Sequence, residues 1–371
     1  KFLRQQPKLN WQNPEARKAA LKVIDFWLER GVDGYRLDVA NGFLHDPALT
    51  DNPPVPMALR TDFNWADADN QQEHLYDCNL PENIEVLQEI RHRVKAHGDR
   101  FVLGEFSEGY ERAGAFAAPD EGLHAAYTFY MLRQKLLAPG FIIGNYALLA
   151  DHPRHWPVVA FCNHDIMRTV SRFGGAPEGD PALAKLLLAL LFAIKGSVCL
   201  YQGEELGLTE VDLRRDQLRD PVGDLYYPIF KGRDGCRTPM PWDAAAPNLG
   251  FSSGTPWLPL GPAHRDLAVS EQQADPASPL AFARRFLAAR KTHPALITGS
   301  MKFIPAAAAI LAFTREVEGE RLLCVFNMSR EPAAFDLAGL DYEALALGGG
   351  EAEVKGKTLE LGPLAVWFGC L

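Results

Sequence analysis

The run GYRLD, residues 34–38, is a short apolar strand that ends on a carboxylate. Two others do the same. FVLGE (101–105) ends on Glu105, and VVAFCNHD (158–165) ends on Asp165. A strand that turns out an acid at its last position delivers it to the rim of a sheet or barrel. Between these runs lie segments long enough for one or two strand–helix units. Residues 14–30, PEARKAALKVIDFWLER, have Pro14 in the first turn and Ala20, Val23, Ile24, Trp27 and Leu28 on one expected face. Gly31 closes that helix. A loop rich in Pro, Asp and Asn fills about 46–81, and a helix is expected over 82–97.

The alternation continues with strands over 124–129, 157–162 and 197–201 and helices over 144–151, 180–195 and 279–292. This is the βαβ pattern of a parallel sheet. The fold class is therefore α/β, and acids at strand ends indicate a (β/α)8 TIM barrel with its site at the C-terminal face. Five strands are counted where eight are needed, so either the sheet is open or the first three units are missing from this chain, and the abrupt start favours the second. The expectation is that strands 4–8 are present and that the N-terminal units lie upstream of Lys1. Residues 203–278, rich in Gly, Pro and Asp, are expected to be a long loop insertion, and such loops are usually functional. The expected domains are 1–295, the C-terminal part of the barrel, and 300–371, a C-terminal β-sandwich-like domain built from short strand-like runs such as RLLCVFNM and AVWFG.

The chain has 371 residues, is 47% hydrophobic, and carries 38 basic against 47 acidic side chains, a net charge of −9. No basic stripe is present, so nucleic acid is not an expected partner. The longest apolar run, LLLALLFAI at 186–194, is far shorter than the ~20 residues that span a bilayer, so no membrane is expected either. It reads as a buried helix. The six cysteines form no CxxC pair, which argues against zinc. Cys162 and Cys199 read as buried thiols. That usage, with no visible signal peptide, fits a cytoplasmic location.

Two carboxyls are the minimum equipment for cutting a glycosidic bond, and a third can grip the sugar. Taken singly, Asp38 and Asp165 also fit helix caps or ion pairs with Arg36 and Arg168. The ordered set GYRLD, GE and NHD resembles the α-amylase family of glycoside hydrolases (family 13). QPKLNW (6–11), HLYDCNLPEN (74–83), SRFG (171–174), YQGEELG (201–207) and RDGCRTPMPWD (233–243) resemble its α-glucosidase and oligo-1,6-glucosidase branch. The resemblance covers nearly the whole chain.

It implies a retaining α-glucosidase that acts on the non-reducing end of short α-glucosides, with transglucosylation as a variant. Asp38 would be the nucleophile, Glu105 the general acid/base, and Asp165 the acid that binds ring hydroxyls. Arg36 would orient the nucleophile, His164 would bind glucose hydroxyls, and Arg233 would reach the terminal glucose. Arg168, Arg172 and Arg237 are left without a role. Val39, after the nucleophile, accompanies α-1,6 cleavage in relatives. A sucrose-acting hydrolase or isomerase lies in the same branch. Alternatives from other classes are a non-catalytic relative of the transporter-associated ectodomain type and a starch-binding protein using its C-terminal domain.

The resemblance implies no cofactor for the chemistry. It places a calcium or magnesium site upstream of Lys1, together with an N-terminal segment that acts as partner in completing the barrel. Residues 1–371 expressed alone should therefore fail to hydrolyse p-nitrophenyl α-glucoside. Robust turnover by that chain would overturn the expectation.

Overall fold

The computed structural model describes residues 5–57, 71–106, 110–117, 122–151 and 155–371. The chain divides into two compact units. One comprises 1–130 and 147–158, the other 131–146 and 159–371.

The first unit opens with helix α1, Pro14–Leu28. Asn13 caps it by accepting from the Glu15 and Ala16 N–H groups, and Pro14 supplies a preset first turn. Strand β1 (Gly34–Leu37), helix α2 (Asn83–Lys95), strand β2 (Phe101–Phe106), helix α3 (Tyr110–Phe116) and strand β3 (Ala125–Thr128) follow. Strand β4 is Pro157–Val159. β1 pairs with β2, β2 with β3 and β3 with β4, all parallel and in chain order. Gly34 is obligatory at the start of β1, because a Cβ there would lie 1.9 Å from the Phe101 carbonyl oxygen. Leu21, Ile24 and Leu28 of α1, Val86, Leu87, Ile90 and Val94 of α2, and Val102 and Phe106 of β2 form the core.

The buried stripe of α1 differs from the expected face. Val23 and Trp27 are 56% and 48% exposed. Ile24 and Leu28 of that face are buried as expected, but Leu21 joins them in place of Val23 and Trp27, and the stripe 21/24/28 is the one joined to the α2 and β2 core.

The expected helix over 144–151 begins earlier. It is α4, Pro139–Ala147, with a single 3-10 turn over Leu148–Asp151. After the short α5 (Thr169–Arg172), helix α6 (Pro181–Ala193) is capped by Asp180 and buried nearly all round, as its apolar run requires. Strand β5 (Ser197–Val198) is shorter than expected, and the Cys199 N–H donates to the Val159 carbonyl at 2.9 Å. Cys199 itself is half-buried, unlike Cys162. Residues 203–278 hold two short helices, α7 (Pro221–Tyr226) and α8 (Val269–Ala274), among single 3-10 turns. Helices α9 (Pro279–Arg290) and α10 (Pro294–Thr298) lead into the β domain.

That domain is two sheets. Strands β6 (Ser300–Ile304), β7 (Ile310–Val317), β8 (Glu320–Asn327), β10 (Glu343–Ala344) and β13 (Val366–Cys370) run in the order β10-β13-β8-β7-β6. Strands β9 (Ala333–Asp336), β11 (Ala352–Lys355) and β12 (Thr358–Leu361) form the second sheet. The period of two sorts their side chains. Ala312, Val325 and Trp367 face a core shared with Phe335, Leu359 and Leu361. Phe313, Phe326 and Phe368 take the other face, where Phe368 meets Phe286 of α9 edge-on at 5.3 Å. Trp367, the domain's one tryptophan, is 7% exposed, which removes the tryptophan platform that starch binding would need.

Phe286 is 1% exposed and also touches Phe192 and Phe282. Phe286→Ala should destabilise the second unit by about 3–5 kcal/mol, seen as a lower denaturation midpoint. An unchanged midpoint would show that this aromatic cluster is not the joint between helices and sheet.

Candidate active site

The seven residues singled out in the sequence fall into two groups, one in each unit. In the first, parallel pairing aligns Leu37 with Gly104, so the next residues stand side by side: Asp38 just past the end of β1, and Glu105 one residue before the end of β2, not at its last position as expected. Arg36, two before Asp38, points to the same side. Its guanidinium bridges the pair, with Nη1 donating to Asp38 Oδ1 and Nη2 to Glu105 Oε1. The second Glu105 oxygen accepts the Val39 N–H at 3.2 Å. Val39 makes that bond from φ 42°, ψ 53°, the left-handed region, which is a backbone outlier for a β-branched residue. Such strain persists only where the surroundings fix it, and here it aims an N–H at the carboxylate.

The two acids have unlike environments. The Asp38 side chain is 73% exposed and that of Glu105 is 6% exposed. Burial pushes the Glu105 carboxyl up to about 7, although Arg36 and the Val39 N–H pull it down and Asp38 adds to the rise. A buried acid that holds its proton up to about pH 7 stands beside one open to solvent, so one site pairs a proton donor with an accessible carboxyl group.

In the second unit, the Asn163 side chain accepts the Asp165 N–H at 2.9 Å and fixes the turn after β4. Asp165 Oδ1 takes two guanidinium bonds, from Arg233 Nη1 at 3.0 Å and Arg237 Nη2 at 2.8 Å. His164 Nε2 lies 3.6 Å from Asp165 Oδ2, and the His164 carbonyl accepts Arg237 Nε at 2.6 Å. Of the arginines left without a role, Arg237 belongs to the site. Arg168 and Arg172 are structural: Arg168 is 2% exposed and donates to the Gln202 carbonyl at 3.0 Å, and Arg172 donates to the Met167 and Phe161 carbonyls.

Sequence reasoning missed Asp220, whose carboxylate holds Arg233 through Nε at 2.7 Å and Nη2 at 3.1 Å. It also missed Glu210, which accepts the Arg168 N–H at 2.9 Å and is pushed up to about 7 by burial. The Asp220–Pro221 pair reads locally as no more than a helix start. Glu204 and Glu205 shape the turn after β5 by accepting the Tyr201 and Gly203 N–H groups. Among the described residues no group of three or more His, Cys, Asp or Glu is arranged to hold a metal, and no helix is long and apolar enough to cross a membrane.

Parallel strands that carry carboxylates at or just beyond their C-terminal ends, followed by an antiparallel β domain, define the frame of a barrel glycoside hydrolase. Residues 1–299 match the alpha amylase catalytic domain, and residues 301–365 match the maltogenic amylase C-terminal domain. The chain belongs to the α-amylase family of glycoside hydrolases, and its parallel strands are those of a TIM-barrel catalytic domain.

It is 42% identical over 381 residues to a probable alpha-glucosidase of Rhizobium meliloti (strain 1021), covering 99% of this chain and 68% of that protein. It is 29% identical to an oligo-1,6-glucosidase of Parageobacillus thermoglucosidasius, covering 91% of this chain and 64% of the relative. The crystal structure of an alpha-glucosyl transfer enzyme, XgtA, matches with a TM-score of 0.94 at 41% identity, covering 100% of this chain and 69% of that one. The chain thus spans 64–69% of the length of these relatives.

Glu105 titrates higher when folded than unfolded, so the fold retains its proton between the unfolded value near 4.5 and about 7. Its contribution to stability is full below 4.5 and is lost as pH rises through 7. Glu105→Gln, which cannot ionise, should therefore gain on the wild type, by on the order of 1–3 kcal/mol at pH 8 relative to pH 5. Thermal midpoints at the two pH values measure this, and a difference independent of pH would contradict the assignment.

Proposed function

We propose that the protein carrying this chain is a retaining α-glucosidase acting on terminal non-reducing α-glucosidic bonds of short oligosaccharides. The observation that carries the reading is the buried Glu105, raised to about 7, beside the accessible Asp38. In the first step the Asp38 carboxylate attacks the anomeric carbon while Glu105 gives its proton to the departing oxygen. The glycosidic bond breaks and a covalent glucosyl–Asp38 ester forms. In the second step ionised Glu105 takes a proton from water, whose oxygen attacks the anomeric carbon and releases Asp38. A retaining pair sits close, with carboxyls ~5–5.5 Å apart, whereas an inverting pair leaves ~6.5–9.5 Å for a water. Two carboxyls on the two end nitrogens of one guanidinium support the close arrangement. Asp165, with Arg233, Arg237 and His164, is the group suited to bind sugar hydroxyls.

A sugar hydroxyl can replace water in the second step, and the 41% identity to a glucosyl transfer enzyme favours this transglucosylation as a companion activity. Val39 and the oligo-1,6-glucosidase relative support α-1,6 links among the substrates. The six unbridged cysteines support a cytoplasmic location.

Asp38→Asn should abolish the covalent glucosyl-enzyme seen by mass spectrometry after quenching with a slow activated glucoside. kcat/KM of the unaltered protein should fall as pH rises through about 7, when Glu105 loses the proton it must donate. A wild-type rate in Asp38→Asn would refute the nucleophile. Product analysis on maltose, isomaltose and sucrose reports the linkage.

A further inference from the structure

Asp220 is more than the cap of α7. Its side chain is 0% exposed and both oxygens are engaged by Arg233. Oδ2 accepts Arg233 Nε at 2.7 Å and the Arg233 backbone N–H at 3.0 Å, and Oδ1 accepts Arg233 Nη2 at 3.1 Å. A cap needs a single oxygen, and the capping bond, to the Val222 N–H, is the longest of the set at 3.3 Å. The neighbouring residues return the grip: Asp234 Oδ2 accepts the Arg219 and Asp220 N–H groups at 2.6 and 2.7 Å. Each aspartate thus clasps the backbone beside the other. Gly232, at φ +73°, makes room, since a Cβ there would stand 2.9 Å from Asp220 Oδ2 and 2.8 Å from Gly223 Cα.

The geometry leaves Arg233 little freedom. A guanidinium has five N–H groups in one plane. Two go to Asp220 and one to Asp165, which leaves one on each terminal nitrogen. A bidentate carboxylate fixes the plane as well as the position. Burial acts to raise the Asp220 carboxyl, but the Arg233 bonds and charge outweigh it and hold the group below its usual range. The clasp is therefore charged at neutral pH.

We propose that Asp220 is the positioning residue for Arg233: it sets the guanidinium plane so that Nη1 meets Asp165 and the two remaining N–H groups face the hydroxyls of a bound glucosyl unit. The role rests on the α-glucosidase reading for its substrate, but not for the clasp itself. Asp220 touches no substrate and acts through the arginine.

The test uses the complete protein in which this chain occurs, with p-nitrophenyl α-glucoside and arginine side-chain 15N spectra. Asp220→Asn should lower kcat/KM about 10- to 100-fold. In an Arg233→Lys background, which lacks the bidentate fork, the same change should cost less than about 3-fold. Arg233→Lys alone should reproduce most of the loss, which keeps the proposal testable where Asp220→Asn fails to fold. The Arg233 Nε–H, assigned by its absence in Arg233→Lys, should exchange slowly in the unaltered protein and join the fast-exchanging arginines in Asp220→Asn. A full loss on adding Asp220→Asn to the Arg233→Lys background overturns the proposal. So does a wild-type rate in Arg233→Lys, or a fast-exchanging Arg233 Nε–H in the unaltered protein. If the unaltered protein cleaves no α-glucoside while its Arg233 Nε–H is protected only with Asp220 present, the substrate reading fails and the clasp stands.

Discussion

One guanidinium shared between two unlike carboxyls is the constraint on which the chemistry of the first unit depends. Two carboxylates ~4 Å apart repel by roughly 4 kcal/mol at an effective dielectric constant near 20. A single arginine offsets about one such charge, so the pair prefers to hold a proton. Which acid keeps it is decided by solvent. Asp38 is open to water and Glu105 is buried among the strand ends. Burial penalises the charged form, so Glu105 is the acid whose carboxyl is pushed up, to about 7, with the neighbouring Asp38 adding to the rise. Arg36 therefore does not set the two roles; it lets both acids occupy one place while depth in the fold tells them apart. The Val39 N–H adds a fixed donor to the Glu105 oxygen that Arg36 leaves open, at the expense of a strained backbone.

The group in the second unit follows another logic. Asp165 and Asp220 face Arg233 and Arg237, two charges against two, so no proton has to be shared. The arrangement is braced rather than poised. Such bracing is possible in a loop region because side chains of 203–278 bond the backbone within it and beside it. Gln272 donates to the Leu206 and Leu267 carbonyls and accepts the Leu280 N–H, while His264 bonds the Thr209 carbonyl. A segment without long helices or strands is held by side chains that replace the missing backbone ladder.

Much of this is legible in residue order, and the exceptions share a cause. The three acids stand out because short apolar runs in βαβ spacing leave few places for a carboxylate, although only Asp38 directly follows its strand, Glu105 lying inside β2 and Asp165 six residues past β4. The period of two places Arg36 beside Asp38. Helix α4 starts before its expected bound because Pro139, not a later residue, forms its first turn. Two stripes of α1 fit the helical period, and only packing against α2 separates them. Val39 gives no local sign of a left-handed backbone, since β-branched residues avoid it. Asp220 and Glu210 are invisible in the sequence because their partners, Arg233 and Arg168, lie 13 and 42 residues away. Loop closure, not local propensity, makes those pairs.

The same depth that protonates Glu105 acts elsewhere, and this governs how a pH profile is to be read. Burial pushes Glu204 and Glu210 up to about 7 as well, and both hold backbone N–H groups in the second unit. Each contributes stability below its unfolded value near 4.5 that is lost as pH rises through 7. An alkaline fall in rate thus has two physical sources, the missing proton on Glu105 and a loosening of the turns that support Arg168 and Tyr201. The two separate by what else moves. On the proposed mechanism, loss of the Glu105 proton lowers the rate whether or not the second unit softens. Ionisation of Glu204 and Glu210 must lower the melting temperature of that unit even when Glu105 has been replaced by glutamine. A melting temperature that still declines with pH in Glu105→Gln therefore belongs to the loop acids, and the part of the decline that disappears belongs to Glu105.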